Sequence, residues 1–180
     1  SSIRTYKMDE LNLEDINFLC VAKPYDGRSS EGLLTNLTKE QLKNIRGKEK
    51  YIVQEQMAGD VFTVDYCRSS YYEVDCAIPR RELLRTKNGA GLTVKMSTDY
   101  KLVQLVSYIG KQLGVNGCVN MEFILSGDQY YLIDVNPRFS AGLAFSNIMG
   151  YDMVNNHLNC FIGRMIDRQV KLRDGIVIKK

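Results

Sequence analysis

The residues with the most evident chemistry lie between Asn120 and Arg138. Two apolar runs, Cys118 to Leu125 and Tyr130 to Val135, flank Ser126, Gly127, Asp128 and Gln129, which reads as a hairpin. A two-residue loop would pair Glu122 with Ile133 and turn Asp134 to the other face. A three-residue loop, Gly127 to Gln129, pairs Glu122 with Asp134 and Asn120 with Asn136. It leaves Met121, Phe123, Leu125, Tyr131, Ile133 and Val135 together on the opposite face. A slip of one residue destroys that segregation, so the second register is expected. Gln129 is nonetheless not the ideal residue for the left-handed position of such a loop.

In that register two carboxylates are cross-strand neighbours, and like charges directly opposite each other repel. A divalent cation is the natural candidate to offset the repulsion. Glu122, Asp134 and Asn136 offer only hard oxygen donors, which suits Mg²⁺ (or Mn²⁺) rather than zinc, and Mg²⁺ prefers a few carboxylates combined with phosphate oxygens. Arg138 follows Asn136 by two positions, beyond Pro137, where its planar fork can clamp a phosphoryl group. The plain alternative for an isolated Glu–Asp pair is a solvated polar face. Asn136, Pro137 and Arg138 beside the pair favour the metal reading.

These side chains need a scaffold. Asn17 to Lys23 reads as a buried strand stopped by Pro24, and a glycine/serine loop follows from Tyr25 to Gly32. Thr38, with Gln41 three residues on, opens a helix with a capping-box pattern, and Gly47 ends it. Strands are expected at Tyr51 to Met57, Val61 to Tyr66 and Tyr71 to Ile78, the last closed by Pro79. Arg80 to Ser97 reads as a polar loop with some extended structure. Ser97 or Thr98 then caps a helix carrying Leu102, Leu105, Val106, Ile109 and Leu113 at helical spacing, with Gly114 as its stop. Another helix is expected from Asp152 to Ile166, and a hairpin over Val170 to Ile178 turning at Asp174-Gly175. The order implies an α+β fold, an antiparallel sheet covered by helices.

Composition sets the outer bounds. The 180 residues carry 24 basic and 21 acidic side chains, 44% hydrophobic residues and 25% charged ones, which excludes a disordered, collagenous or coiled-coil chain. No run approaches the length of a membrane span, and no concentrated basic face suggests nucleic acid. The five cysteines are widely spaced, with no CxxC pair, so they read as reduced, buried thiols of a cytoplasmic protein. His157 has no partner motif and reads as structural. Neither a P-loop nor a dinucleotide-binding glycine motif is present.

The 120–138 block resembles the C-terminal signature of the ATP-grasp superfamily, where one acid sits on a strand and an acid-x-Asn-x-Arg follows on the next. Leu132 to Arg138 is most similar to the carbamoyl-phosphate synthase large chain and related carboxylate–amine ligases. The resemblance implies that Glu122, Asp134 and Asn136 hold the Mg²⁺ ions bridging ATP phosphates. It implies that Arg138 contacts the phosphoryl group or an acyl phosphate. Val21-Ala22-Lys23-Pro24 looks like the family's strand ending in an ATP-binding Lys. The run Asp26 to Gly32, with Ser29 and Ser30, resembles the glycine-rich lid over the triphosphate. Gln54 to Gly59 resembles the linking strand beside adenine, with Glu55 and Met57 at the nucleotide positions. Relatives often carry a ribose-contacting acid shortly after this glycine; here position 61 is Val, and Asp60 stands next to it. Arg80, Arg81, Arg85 and Lys87 sit where relatives bind phosphate or the acid substrate, without indicating which one faces it.

The implied fold is ATP-grasp, with a small subdomain over about 1–54 and a larger one over about 55–180 closing on ATP. The implied reaction activates a small-molecule carboxylate as an acyl phosphate, which an amine or similar nucleophile attacks. The chain does not begin with Met and enters an apolar strand near residue 17. It is therefore expected to be a fragment of a longer ligase whose N-terminal domain binds substrate. Homo-oligomerisation is left open. A non-catalytic nucleotide-binding or interaction module is the competing reading, and a purely structural β-rich domain a weaker third.

Overall fold

The computed structural model describes residues 3–16, 18–27, 31–45, 47–86 and 89–179. The expected lid serines Ser29 and Ser30, and Lys87 of the basic run, lie outside the described residues. The chain divides into two units, Ser1–Ala58 and Gly59–Lys180.

The N-terminal unit is a four-stranded antiparallel sheet in the order β1-β4-β2-β3, from β1 (Thr5–Lys7), β2 (Cys20–Pro24), β3 (Leu34–Leu37) and β4 (Tyr51–Glu55). Period-two alternation buries Cys20 and Ala22 of β2 and Val53 of β4, and a short helix α1 (Lys39–Lys43) adds Leu42. The Thr38 side chain accepts from the Gln41 N–H while the Gln41 side chain accepts from the Thr38 N–H, which completes the capping box. β4 ends at Glu55, two residues short of the expected Met57.

The C-terminal unit holds a six-stranded sheet in the order β10-β7-β6-β5-β8-β9. Its strands are β5 (Asp60–Ser69), β6 (Val74–Arg85), β7 (Gly91–Met96), β8 (Gly117–Ser126), β9 (Gln129–Asn136) and β10 (Gly175–Ile178), and every neighbouring pair is antiparallel. Helix α2 (Tyr100–Gln112) packs Leu102, Val103 and Val106 on one face. Helices α3 (Leu143–Ile148) and α4 (Met153–Phe161) cover part of the other. Among the described residues no helix is long and apolar enough to cross a membrane.

Four local expectations are corrected. β6 runs through Pro79 to Arg85, so Arg80 opens no loop. Ser97 N–H donates to the Pro79 carbonyl just beyond the end of β7, so the donor that proline lacks faces a finished ladder, where it costs little. Helix α2 is capped by Asp99, whose side chain accepts from Lys101 N–H, rather than by Ser97 or Thr98. The segment 170–178 is not a hairpin, because β10 pairs with β7. The last long helix stops at Phe161, and α3, whose cap Gly142 makes no side-chain hydrogen bond, carried no start signal to read.

Candidate functional site

Strand register decides which side chains meet. β8 and β9 bring Glu122 opposite Asp134 and Asn120 opposite Asn136. The turn itself is shorter than expected: Ser126 pairs with Gln129 across a two-residue loop, with Gly127 at φ +59. A bulge between the Glu122 and Phe123 pairs then inserts Ile133 and moves the acids opposite each other. Because the bulge resets the alternation, Tyr130 and Leu132 join the apolar core in place of the expected Tyr131 and Ile133.

Glu122 is half-buried and accepts from an Arg85 Nη at 3.0 Å. Asp134 is exposed; it accepts from its neighbour Val135 N–H at 3.0 Å and from Asn136 Nδ2 at 3.1 Å. Arg138 donates to Asn136 Oδ1 at 3.2 Å and to the Phe139 carbonyl at 3.2 Å. Asp134, Asn136 and Arg138 thus form one chain of contacts along the strand end.

The same sheet face continues beneath them. Odd residues of β5 align with even residues of β6 and β8, so Thr63, Asp65, Arg80, Glu82, Asn120 and Glu122 share this face. A register irregularity after Glu82 turns Arg85 onto it as well, whereas Arg81 points the other way and pairs with Asp60 at 2.6 Å. Arg80 is 2% exposed; its two Nη atoms donate to Asp65 Oδ2 at 2.8 Å and Ser140 Oγ at 3.1 Å. Ser146 Oγ donates to Asp65 Oδ2 at 2.6 Å, and Asn120 Nδ2 to Asp65 Oδ1 at 3.3 Å.

Among the described residues, four buried side-chain polar atoms lack a hydrogen-bond partner: Thr63 Oγ1, Arg80 Nε, Glu82 Oε2 and Arg85 Nε. All four belong to this face. Arg80 Nε lies 3.4 Å from Glu82 Oε1 as an ion pair, and the other three are buried polar atoms of the kind that ordered water, an ion or a ligand can satisfy. The fit to Mg²⁺ rests on the donor set: two carboxylates and an amide, all oxygen, with Arg85 and Arg138 beside them. No group of three or more His, Cys, Asp and Glu positioned to hold a metal exists among the described residues, so two carboxylates would need Asn136 and non-protein oxygens to complete a coordination shell.

In the N-terminal unit Lys23 is half-buried at the end of β2, opposite Ile52, and Glu55 at the end of β4 lies opposite Cys20. Met57 is half-buried just past β4. Gln56 is anchored by its N–H to the Leu19 carbonyl and by its side chain to Asn36. An open depression of about 510 Å³ is lined by Pro24, Asp26, Gly27, Glu31 and Gly32 with Gly47, Lys50 and Tyr51. It joins the end of β2 to the glycine/serine loop.

A protein-family model for ATP-grasp in the biosynthetic pathway with Ter operon matches residues 47–180, most of the chain. The chain belongs to this ATP-grasp family. Its fold is shared with solved structures at low identity. The Campylobacter jejuni biotin carboxylase–β-γ-ATP complex has a TM-score of 0.81 and 14% identity, over 97% of this chain and 46% of that one. The Staphylococcus aureus N5-carboxyaminoimidazole synthetase complexed with ADP gives 0.78 and 11%, over 98% and 52%. The Hydrogenobacter thermophilus 2-oxoglutarate carboxylase biotin carboxylase domain dimer, with MgADP, ADP and bicarbonate, gives 0.74 and 15%, over 91% and 41%. The chain spans about half the length of these structures, or less.

Within this ATP-grasp chain the residues missed from sequence are Asp65, Glu82, Asn120 as a buried donor, and Ser140. The available signal was Asp65, a charge inside the mostly apolar run Val61 to Tyr66. A buried acid in a strand demands a partner, and the basic run at Arg80 supplies it. His157 has a packing role: its Nδ1 accepts the Cys118 N–H at 2.9 Å and its ring lies between Phe139 and Phe161.

Proposed function

We propose that this chain is the Mg²⁺- and ATP-dependent part of a ligase that activates a small-molecule carboxylate as an acyl phosphate for attack by an amine or a similar nucleophile. The observation that carries the reading is the cross-strand Glu122–Asp134 pair, extended by Asn136 and Arg138, above a face where buried polar side chains cluster. ATP-grasp membership and the nucleotide in each of the three similar structures support it.

In this reading Glu122, Asp134 and Asn136 hold the cation, which when bound neutralises phosphate charge during transfer. Arg138 orients the transferred phosphoryl group with its fork. Arg85, already beside Glu122, carries positive charge to the developing acyl phosphate. Lys23, Glu55 and Met57 of the N-terminal unit, and the segment with Ser29 and Ser30, are the proposed nucleotide contacts. No side chain acts as a covalent nucleophile, so rate derives from positioning and charge stabilisation.

Thermal unfolding with and without Mg-ATP tests the site. Ligand at about 100 times its Kd stabilises by about 2.7 kcal/mol, a clear rise in Tm. Asp134→Ala is expected to abolish that rise. No shift for the unaltered chain overturns the reading. A shift without phosphate release across a panel of acids, tested with amines, assigns a nucleotide-binding module instead.

A further inference from the structure

Of the four basic candidates, Arg80 has an environment unlike that of a phosphate contact. Its guanidinium is 2% exposed and spends both terminal nitrogens inside the protein, on Asp65 at 2.8 Å and Ser140 Oγ at 3.1 Å. We infer that Arg80 is a positioning residue: with Asp65 it holds the segment 136–146, and thereby Arg138 and Asn136, in place for the nucleotide. This rests on the Mg-nucleotide reading above.

The segment is held at three points. At its start, Asn136 sits opposite Asn120, whose Nδ2 donates to Asp65 Oδ1. In the middle, Ser140 Oγ accepts from Arg80 and from Gly142 N–H. At its far end, Ser146 Oγ donates to Asp65 Oδ2 at 2.6 Å. Gly142 lies so close that a Cβ there would stand 2.7 Å from Arg80 Nη2, and the Phe145 ring centroid is 5.5 Å from the guanidinium carbon. The loop is moulded onto the arginine. Only Phe139 separates Arg138 from Ser140, so holding Ser140 restrains the backbone passing Arg138. A planar fork makes both bonds at once; a lysine ammonium, a point donor on a flexible stem, can hold Asp65 but does not reproduce the second arm.

The test uses Mn²⁺-ADP as the probe, titrated against the chain and followed by the Mn²⁺ electron paramagnetic resonance signal, with Tm measured alongside. Ser140→Ala and Arg80→Lys are expected to weaken Mn²⁺-ADP binding about 10-fold, the scale of losing a supporting contact behind a metal ligand. Ser140→Thr, which keeps the hydroxyl, is expected to restore it, and all three to melt cooperatively near the unaltered chain. Restoration by Thr separates positioning from general loosening. If Mn²⁺-ADP does not bind the unaltered chain, the nucleotide reading falls and this inference with it. If it binds, and Asp134→Ala loses it while Ser140→Ala and Arg80→Lys bind unchanged, the positioning role alone is overturned.

Discussion

One face of the six-stranded sheet has two contrasting ends. Under α4 lies a fully buried cluster: Cys67 sits between Cys76 and Cys118 across neighbouring strands, with Cys160 Sγ 3.9 Å from Cys67 Sγ and Tyr151 and Met153 beside them. At the other end lie Thr63, Glu82, Arg85, Glu122 and Asp134, where polar atoms are buried without partners and two acids face each other. Asp65 and Arg80 stand between. The first end obeys every rule of core packing, and the second breaks two of them within a few residues. Consistency across levels is what a folding core needs, and local violations are expected where a ligand supplies the missing terms. The difference singles out the polar end as the place where the proposed site can be tested apart from the core.

The sharpest way to break that comparison is to show that both ends matter equally for folding. Ile78→Ala, on the same face and fully buried, is expected to cost about 2–5 kcal/mol through lost burial and a residual cavity. Denaturant unfolding measures it, and Mg-ATP affinity of the folded fraction should be unchanged. Asp134→Ala at the polar end should do the reverse. Affinity should fall by at least about 100-fold, the upper end of what losing even an outer-shell partner costs. Because Asp134 is exposed, stability should stay within about 0.5 kcal/mol. Equal destabilisation by the two substitutions would remove the distinction.

The thiol end also makes a pH prediction. Burial pushes the Cys76 and Cys160 thiols from an ordinary 9.0 up to about 12. Cys67 is raised as well, by its Cys118 neighbour first and burial second. Below pH 9 the thiols are protonated in both folded and unfolded chains, and their full contribution to stability is present. Between pH 9 and about 12 only the unfolded chain releases the proton of Cys76. The folded state then binds more protons, and stability falls by about 1.4 kcal/mol per pH unit for each such thiol. Cys76→Ala should remove one thiol's share of that slope, read from denaturant midpoints between pH 9 and 11.5. An unchanged slope would show that Cys76 is not held protonated by the core.

How much of this was legible in the residues divides along the same line. The pairing of Glu122 with Asp134 was readable because polar and apolar side chains must separate onto two faces, and only one register does that over Asn120 to Asn136. The route to that register was not readable: a tight turn plus a bulge and a longer turn give the same pairing at the acids, and composition does not distinguish them. Pro79 read as a stop because the end of β7, which makes its missing donor harmless, is a tertiary fact. Asp65 and Arg80 were visible as residues but not as a pair, since 15 positions separate them and only the β5–β6 register brings them together. The resemblance to the ATP-grasp superfamily rested on the 120–138 block, and the family model that matches residues 47–180 shows the membership.

The bulge offers the finest test of the polar end. Removing Ile133 converts the hairpin to a regular ladder in which Phe123 still meets Leu132 and Glu122 still meets Asp134, so the faces survive and the fold should remain. What is lost is the local bend and added twist by which a bulge re-aims neighbouring side chains. If that aim matters, Mg-ATP binding of the deletion variant should weaken by up to about 10-fold, since displacements near 1 Å at a reacting centre are costly, while the chain melts cooperatively. Unchanged affinity would mean that cross-strand pairing of the acids suffices and the bulge only accommodates the turn. A loss as large as that of Asp134→Ala would mean that the bulge, more than the pairing, sets the positions of Asp134 and Asn136.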